Sequence, residues 1–234
     1  PSAPQRSTGG AVQSDVAVAA LKTYVAPGDL DEYYMFSSGG HSGQVYVYGL
    51  PSMRHLSTIP VFTPYPATGY GFDDESKEML GDLTWGDAHH PALSETKGDY
   101  DGRWLFINEM NGRIARIDLR DFKTKQILGP VPNLHGNHGS SFVTPNSEYA
   151  MMATRFSRPV PQRAVSIDKY ATEYKGIVAG VKIDPQSGEM SLGWEILMPP
   201  FDYDIGDAGK LVSDGWMFFT SYNSERATGK LEVT

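Results

Sequence analysis

The stretches Asp101–Ile107 (DGRWLFI) and Asp214–Thr220 (DGWMFFT) resemble each other and decide the fold class. Each places an Asp-Gly pair, which predicts a tight turn, directly before an apolar run, which predicts a strand. Ser147–Met152 is a weaker third copy, and Arg113–Asp118 alternates polar and apolar residues with the period of a partner strand. The chain is therefore predicted to be all-β.

The spacing of these segments favours a β-propeller over a β-sandwich. A strand at 176–184, a turn at 185–189 and a return strand at 190–197 continue a pattern that recurs roughly every 40 to 50 residues, as propeller blades do. We expect residues 29–234 to form the first part of a β-propeller domain with about three to four blades, fewer than closure usually needs. Residues 1–28 are predicted to be an N-terminal arm around one short helix near Val16–Val25.

Composition narrows the classes of function. The net charge of −8 and the scattered basic residues argue against a nucleic-acid or membrane-surface partner. No apolar run approaches the length of a membrane span, and the first ten residues lack the layout of a signal peptide. The chain has no cysteine, so any metal site must use imidazole or oxygen ligands.

Four of the six histidines lie in two short segments, Trp85–Pro91 (WGDAHHP) and Asn133–Gly139 (NLHGNHG). Adjacent histidines on a regular strand point to opposite faces, so His89 and His90 can share one centre only if the backbone turns beside them. In a propeller, loops from successive blades converge, and a histidine one blade later can join the pair. These residues alone are about equally consistent with a copper or zinc site and with surface or core histidines.

Asp87 stands just before the pair. A ligating imidazole usually donates its other N–H to a carboxylate, which fixes the tautomer and the orientation of the ring. We therefore expect Asp87 to orient a ligand histidine rather than to bind the metal itself.

Several longer motifs in one order resemble the nitrous oxide reductase family, from about residue 30 onward. They are Phe36–Val45, Gly49–Arg54, Ile59–Phe62, Ala67–Gly71, Gly86–Pro91 and Thr220–Glu225. Members of this family carry a seven-bladed propeller, with a four-copper sulfide cluster on seven histidines, followed by a cupredoxin domain with a dinuclear copper site. The resemblance covers the propeller portion alone, and no counterpart of the cupredoxin domain is present in these 234 residues.

The resemblance implies the copper ligands. His89 and His90 match the first two ligands of the cluster, and His138, in its His-Gly segment, fits the third. His135, three residues earlier, is the competing choice for the third ligand. His41 and His55 are expected to be structural or surface residues. An aspartate that faces the cluster in the family aligns near Asp207.

The resemblance also implies a calcium site and a cellular setting. Tyr222 and Glu225 match calcium ligands, and Val233 is a weaker match for a backbone ligand. The expected protein is a periplasmic homodimer whose signal peptide has been removed. It would receive electrons from a soluble cytochrome or cupredoxin and has neither a nucleic-acid partner nor a membrane span.

The implied reaction is copper-dependent reduction of nitrous oxide to dinitrogen and water, in denitrification. The chain would supply part of the catalytic site, with His89, His90 and His138 as catalytic ligands, and is expected to be inactive alone. Two alternatives remain open: a non-catalytic propeller that binds a partner through its loops, and a calcium-stabilised structural propeller.

Overall fold

A computed structural model of the chain describes residues 10–138 and 141–222, with the side chains of all of these except 10–14, 205 and 222. Three helices occur in this part: α1 (Gly10–Thr23), α2 (Asp74–Leu80) and α3 (Tyr170–Glu173). The strands are β1 (Tyr33–Ser38), β2 (Gln44–Leu50), β3 (His55–Pro60), β4 (Ala88–Thr96), β5 (Asp99–Glu109), β6 (Arg113–Asp118), β7 (Lys123–Leu128), β8 (Tyr149–Ala153), β9 (Arg158–Pro159), β10 (Tyr174–Ile183), β11 (Met190–Met198), β12 (Asp202–Ala208) and β13 (Met217–Tyr222).

These strands form several separate antiparallel sheets, so the all-β prediction is confirmed. Their arrangement as propeller blades stays a prediction, as do the domain bounds 1–28 and 29–234. The helix predicted near Val16–Val25 is present as α1, with earlier bounds. In the described part of the chain, no helix is long and apolar enough to cross a membrane.

The described residues fall into two compact units, and the first comprises residues up to Ser37 together with Tyr46–Thr58. It holds most of a three-stranded sheet in the order β1-β2-β3. Within it the Asp31 carboxylate accepts hydrogen bonds from Ser52 N at 2.9 Å and Arg54 Nη2 at 2.9 Å. This carboxylate therefore fixes the connection between β2 and β3.

The second unit comprises Ser38–Val45 and the described residues from Ile59 onward. It holds a four-stranded sheet in the order β4-β5-β6-β7, a sheet in the order β11-β10-β8 with β9 paired to β10, and the hairpin β12-β13. Phe106 and Ile114 of the first of these sheets pack with Met152 and Ile177 of the second in one buried cluster. Each such buried side chain contributes roughly 1.5–3 kcal/mol, and the cluster holds β5 and β6 against β8 and β10 in one packed core.

The turn predicted at Asp101-Gly102 is wrong. These residues lie inside β5, and the chain reverses at Lys97-Gly98, where both φ angles are positive, at 55° and 82°. Positive φ angles at both central residues are typical of a type I′ turn, whose backbone twist matches the twist of the two strands that it joins. The Asp101 carboxylate instead accepts a hydrogen bond from Ser94 Oγ across an irregular stretch of the ladder.

The other predicted turns and strands agree with the structure. A turn at Asp214-Gly215 precedes β13, and another around 185–187 joins β10 to β11. Strand β6 spans the predicted residues 113–118. The alternation of residues in sequence therefore located these hairpins well.

Candidate metal centre

His89 and His90 open strand β4, and an irregular backbone brings both rings to one side. Ala88 pairs with Glu109 and His89 with Asn108, after which the register shifts before Ala92. His90 has a φ of 20°, a value that side-chain-bearing residues rarely adopt. The ring centroids of the two histidines are consequently 5.9 Å apart. The backbone irregularity that a shared centre requires is present.

His138 reaches the pair from the segment that precedes β8. Its neighbour Asn137 forms a bridge with Thr154 and accepts a hydrogen bond at Oδ1 from Ala153 N, which anchors this segment to the sheet. The ring centroid of His138 lies 4.2 Å from that of His89 and 5.8 Å from that of His90. One ligand nitrogen from each of the three rings lies within 4.8 Å of the others, a separation that a metal site could use.

Two carboxylates face these imidazoles. His138 Nδ1 hydrogen-bonds Asp204 Oδ1 at 3.3 Å, which leaves Nε2 of that ring available for a metal. Asp87 Oδ2 lies 3.2 Å from His89 Nε2 and 3.4 Å from His41 Nδ1. The alignment between Asp87 and His89 is poor, and in the described structure His89 Nε2 has no hydrogen-bond partner.

The surroundings of His138 favour its neutral form. Burial lowers the pKa of this imidazole below its usual value, and the proximity of His89 and Arg155 lowers the pKa further, against the opposing effect of Asp204. A metal binds the neutral form of an imidazole, so these surroundings are compatible with a metal at His138.

Buried polar atoms without partners concentrate around the three rings. Among the described residues they include Asp87 Oδ1, both amide atoms of Asn108, Asn137 Nδ2 and Ser141 Oγ. Asn108 is the ladder partner of His89, and Ser141 N donates to the carbonyl of His90 at 3.4 Å. Burying such groups without hydrogen bonds costs free energy, so their concentration here fits a site built to take an ion and its ligands.

The other histidines lie apart from the three rings or face different partners. His135 Nε2 is 2.8 Å from Gln162 Oε1, and the structure brings His138, not His135, to the pair. His41 is largely exposed and stacks on Trp85, although it shares the Asp87 carboxylate. His55 contacts the edges of Tyr46 and Tyr48 in the first unit.

Sequence reasoning missed Asp204 and considered Asp207 instead. Asp207 accepts a hydrogen bond from the adjacent Ala208 N, whereas Asp204 contacts His138 across 66 residues of chain. No local signal distinguishes these two carboxylates. Of the predicted calcium ligands, Tyr222 ends β13 and only its backbone is described, while Glu225 and Val233 lie outside the described residues.

The structure thus defines a β-sheet protein with three converging imidazoles and no thiol, a donor set that suits copper or zinc. No protein-family model matches the chain. Nitrous-oxide reductase from Pseudomonas fluorescens is 39% identical over 211 residues, which cover 88% of this chain and 32% of that protein. The enzyme from Stutzerimonas stutzeri is 37% identical, again over 88% of this chain and 32% of that protein. The enzyme from Ralstonia nicotianae is 35% identical over 81% of this chain.

The chain is therefore a homologue of nitrous-oxide reductases, which are oxidoreductases, and the resemblance is confirmed. It spans about a third of the length of these relatives. Among solved structures, hydrazine synthase from Kuenenia stuttgartiensis aligns with a TM-score of 0.42 at 12% identity, over 68% of this chain and 38% of that one. No fold assignment follows from so slight a similarity.

Proposed function

We propose that this chain contributes His89, His90 and His138 to a copper centre that reduces nitrous oxide to dinitrogen and water. The observation that carries the proposal is the convergence of these three imidazoles, each from a segment that matches the family motif, to within 4.8 Å. Relatives of the chain by sequence are named nitrous-oxide reductases. Copper suits a donor set made of imidazoles alone. Because three ligands fall short of the family's seven, the chain would build part of the site.

Residues of the chain would prepare the ligands for copper. Asp204 would hold the proton of His138 on Nδ1, so that Nε2 faces the metal. Asp87 would take the corresponding role at His89 once the ring turns to align with the carboxylate. When bound, copper would supply the electrons that the reduction of nitrous oxide requires.

Burial would serve the same chemistry. His89 and His138 are mostly buried, and Asp87 and Asn108 behind them are buried as well. A site of low polarity excludes competing water and strengthens the interactions between the carboxylates and the rings. His90 is exposed in the described structure, so this burial protects the centre on the side of His89 and His138.

The larger setting is proposed on the resemblance. The consecutive sheet β4-β5-β6-β7 has the connectivity of a propeller blade, and the sheet around β10 would be the next blade. Tyr222, Glu225 and Val233 would contribute to a calcium site. The protein would act in the periplasm as a homodimer and receive electrons from a soluble cytochrome or cupredoxin.

Activity can be tested in a chimaera in which this chain replaces the matched third of the Pseudomonas fluorescens relative. We expect the chimaera to consume nitrous oxide, measured by gas chromatography with a reduced dye as electron donor. His89→Ala or His138→Ala should reduce the activity at least about 100-fold, because each removes a metal ligand. His135→Ala is the matched control and should keep the activity; unchanged activity in His138→Ala would refute the ligand assignment.

A further inference from the structure

A fully buried ion pair lies beneath the segment that leads into the candidate metal centre. Arg113 Nε donates to Glu109 Oε1 at 2.8 Å, and the two side chains are 2% and 0% exposed. The two residues face each other across the hairpin between β5 and β6. A buried ion pair seldom adds stability over well-packed apolar residues, so stability alone does not account for this one.

The remaining donors of Arg113 bind backbone carbonyls. Nη1 donates to the carbonyl of Leu83 at 2.7 Å, and Nη2 donates to the carbonyl of Trp85 at 3.0 Å. Residues 83–87, between α2 and β4, belong to neither helix nor strand. One guanidinium therefore anchors this irregular segment, and its planar fork suits several acceptors at fixed angles.

The anchored segment continues directly into the candidate site. A Cβ atom at Gly86 would lie 2.9 Å from Glu109 Oε2 and 3.1 Å from Arg113 Nη2, so the backbone there rests on the ion pair. The next residue is Asp87, whose carboxylate lies 3.2 Å from His89 Nε2. Glu109 is also the ladder partner of Ala88, the residue between them.

The geometry points to Arg113 and Glu109 as a positioning pair that fixes Asp87 and His89 relative to His138. The pair contacts this segment through the backbone: Arg113 binds the carbonyls of Leu83 and Trp85, and Glu109 pairs with Ala88. The expected effect on copper binding rests on the proposed function. The expected effect on the metal-free protein rests only on the contacts of Arg113 with residues 83–85.

The test uses the 234-residue chain and a double variant, Arg113→Met with Glu109→Leu. Replacing both partners by apolar residues of similar size leaves no buried charge, so this variant should fold. It nevertheless lacks the donors that hold the carbonyls of Leu83 and Trp85. A pair that serves only stability predicts wild-type copper binding in this variant, whereas a positioning pair predicts weaker binding.

We expect the affinity for Cu(I), measured by competition with a chromophoric chelator, to fall about 10- to 100-fold. In the metal-free protein, amide hydrogen exchange at residues 83–89 should accelerate more than exchange in β10 and β11. If the double variant fails to fold, Arg113→Lys takes its place, because it keeps the positive charge but loses the planar guanidinium. It should show the same loss of Cu(I) affinity and the same faster exchange at residues 83–89. Ile177→Ala, in the core of the other sheet, is the control for general destabilisation and should keep the affinity.

The two proposals fail in distinguishable ways. A chimaera with wild-type residues that consumes no nitrous oxide refutes the proposed function. Amide exchange at residues 83–89 of the metal-free chain then decides the positioning role by itself. Unchanged local exchange in a folded double variant refutes the positioning role, even if the wild-type chain binds copper. Wild-type copper affinity in the double variant would refute it as well.

Discussion

Gly86 lies between the Arg113–Glu109 pair and the Asp87 carboxylate, and the packing there leaves no room for a side chain. A Cβ atom would come within 2.8 Å of Phe62 Cβ. Gly86→Ala should lower the free energy of unfolding by about 1–3 kcal/mol, measured by urea denaturation, because the crowded neighbours must move. Copper affinity should fall with it, since the displaced residue adjoins Asp87.

Gly102→Ala is the control for this substitution. A Cβ atom at Gly102 would meet nothing within 4 Å, and its φ of 69° makes the variant strained without crowding. It should lose stability but keep the copper affinity of the wild type. Wild-type stability in Gly86→Ala would show that the segment yields easily and that Gly86 does not hold Asp87 in place.

At the level of single residues, the sequence predicted that the three histidines converge and that Asp87 adjoins them, but it missed Asp204. His89, His90 and His138 stand in motifs whose order resembles a family, and the structure brings these three together. Asp204 reaches His138 across 66 residues, and nothing local marks it. Such a contact depends on the packing of separate sheets, which residue patterns in one sequence do not specify.

At the level of elements, strands were easier to predict than the turns that join them. Period-two alternation located β6, because one face of that strand is buried in the sheet's core. The Asp101 carboxylate accepts a local hydrogen bond from Arg103 N, but Ser94 and Thr96 of the neighbouring strand bind it as well, and the residues stay within β5. A side chain that bonds across strands competes with local turn formation, and only the fold decides between them.

Asp118, at the end of β6, should make the stability of its hairpin depend on pH. Hydrogen bonds from the Arg120 side chain lower the pKa of this carboxyl from 3.8 to about 2, against the opposing effect of burial. The folded pKa is below the unfolded one, so the ionised carboxylate stabilises the protein above about pH 4, and this contribution is lost as the pH falls towards 2.

Asp118→Asn should therefore lower the free energy of unfolding at pH 7, and the difference from wild type should shrink steadily between pH 4 and pH 2. Urea denaturation across this range measures it. Asp121→Asn in the same hairpin removes a more exposed carboxylate, paired with Lys125, and should change stability by less than about 1 kcal/mol. A pH-independent difference for Asp118→Asn would mean that its charge contributes nothing.

At the level of the whole molecule, the candidate centre joins separate parts of the second unit. His89 and His90 begin β4, His138 precedes β8 and Asp204 lies in β12, so each belongs to or adjoins a different sheet. Bulk packing follows from the apolar patterns of the strands, but the meeting of these segments requires the assembled core. A metal bound there would tie the three sheets together, whereas it would find no such site in the unfolded chain.

Copper should consequently stabilise the folded chain. At a free Cu(I) concentration about 100 times the dissociation constant, the linkage contributes about 2.7 kcal/mol, and anaerobic thermal unfolding should shift to higher temperature. The shift should disappear in His89→Ala and in His138→Ala, since each breaks the link between β4 and the segment before β8. His55→Ala, in the first unit, should retain it, and an equal shift in all three variants would place copper elsewhere in the molecule.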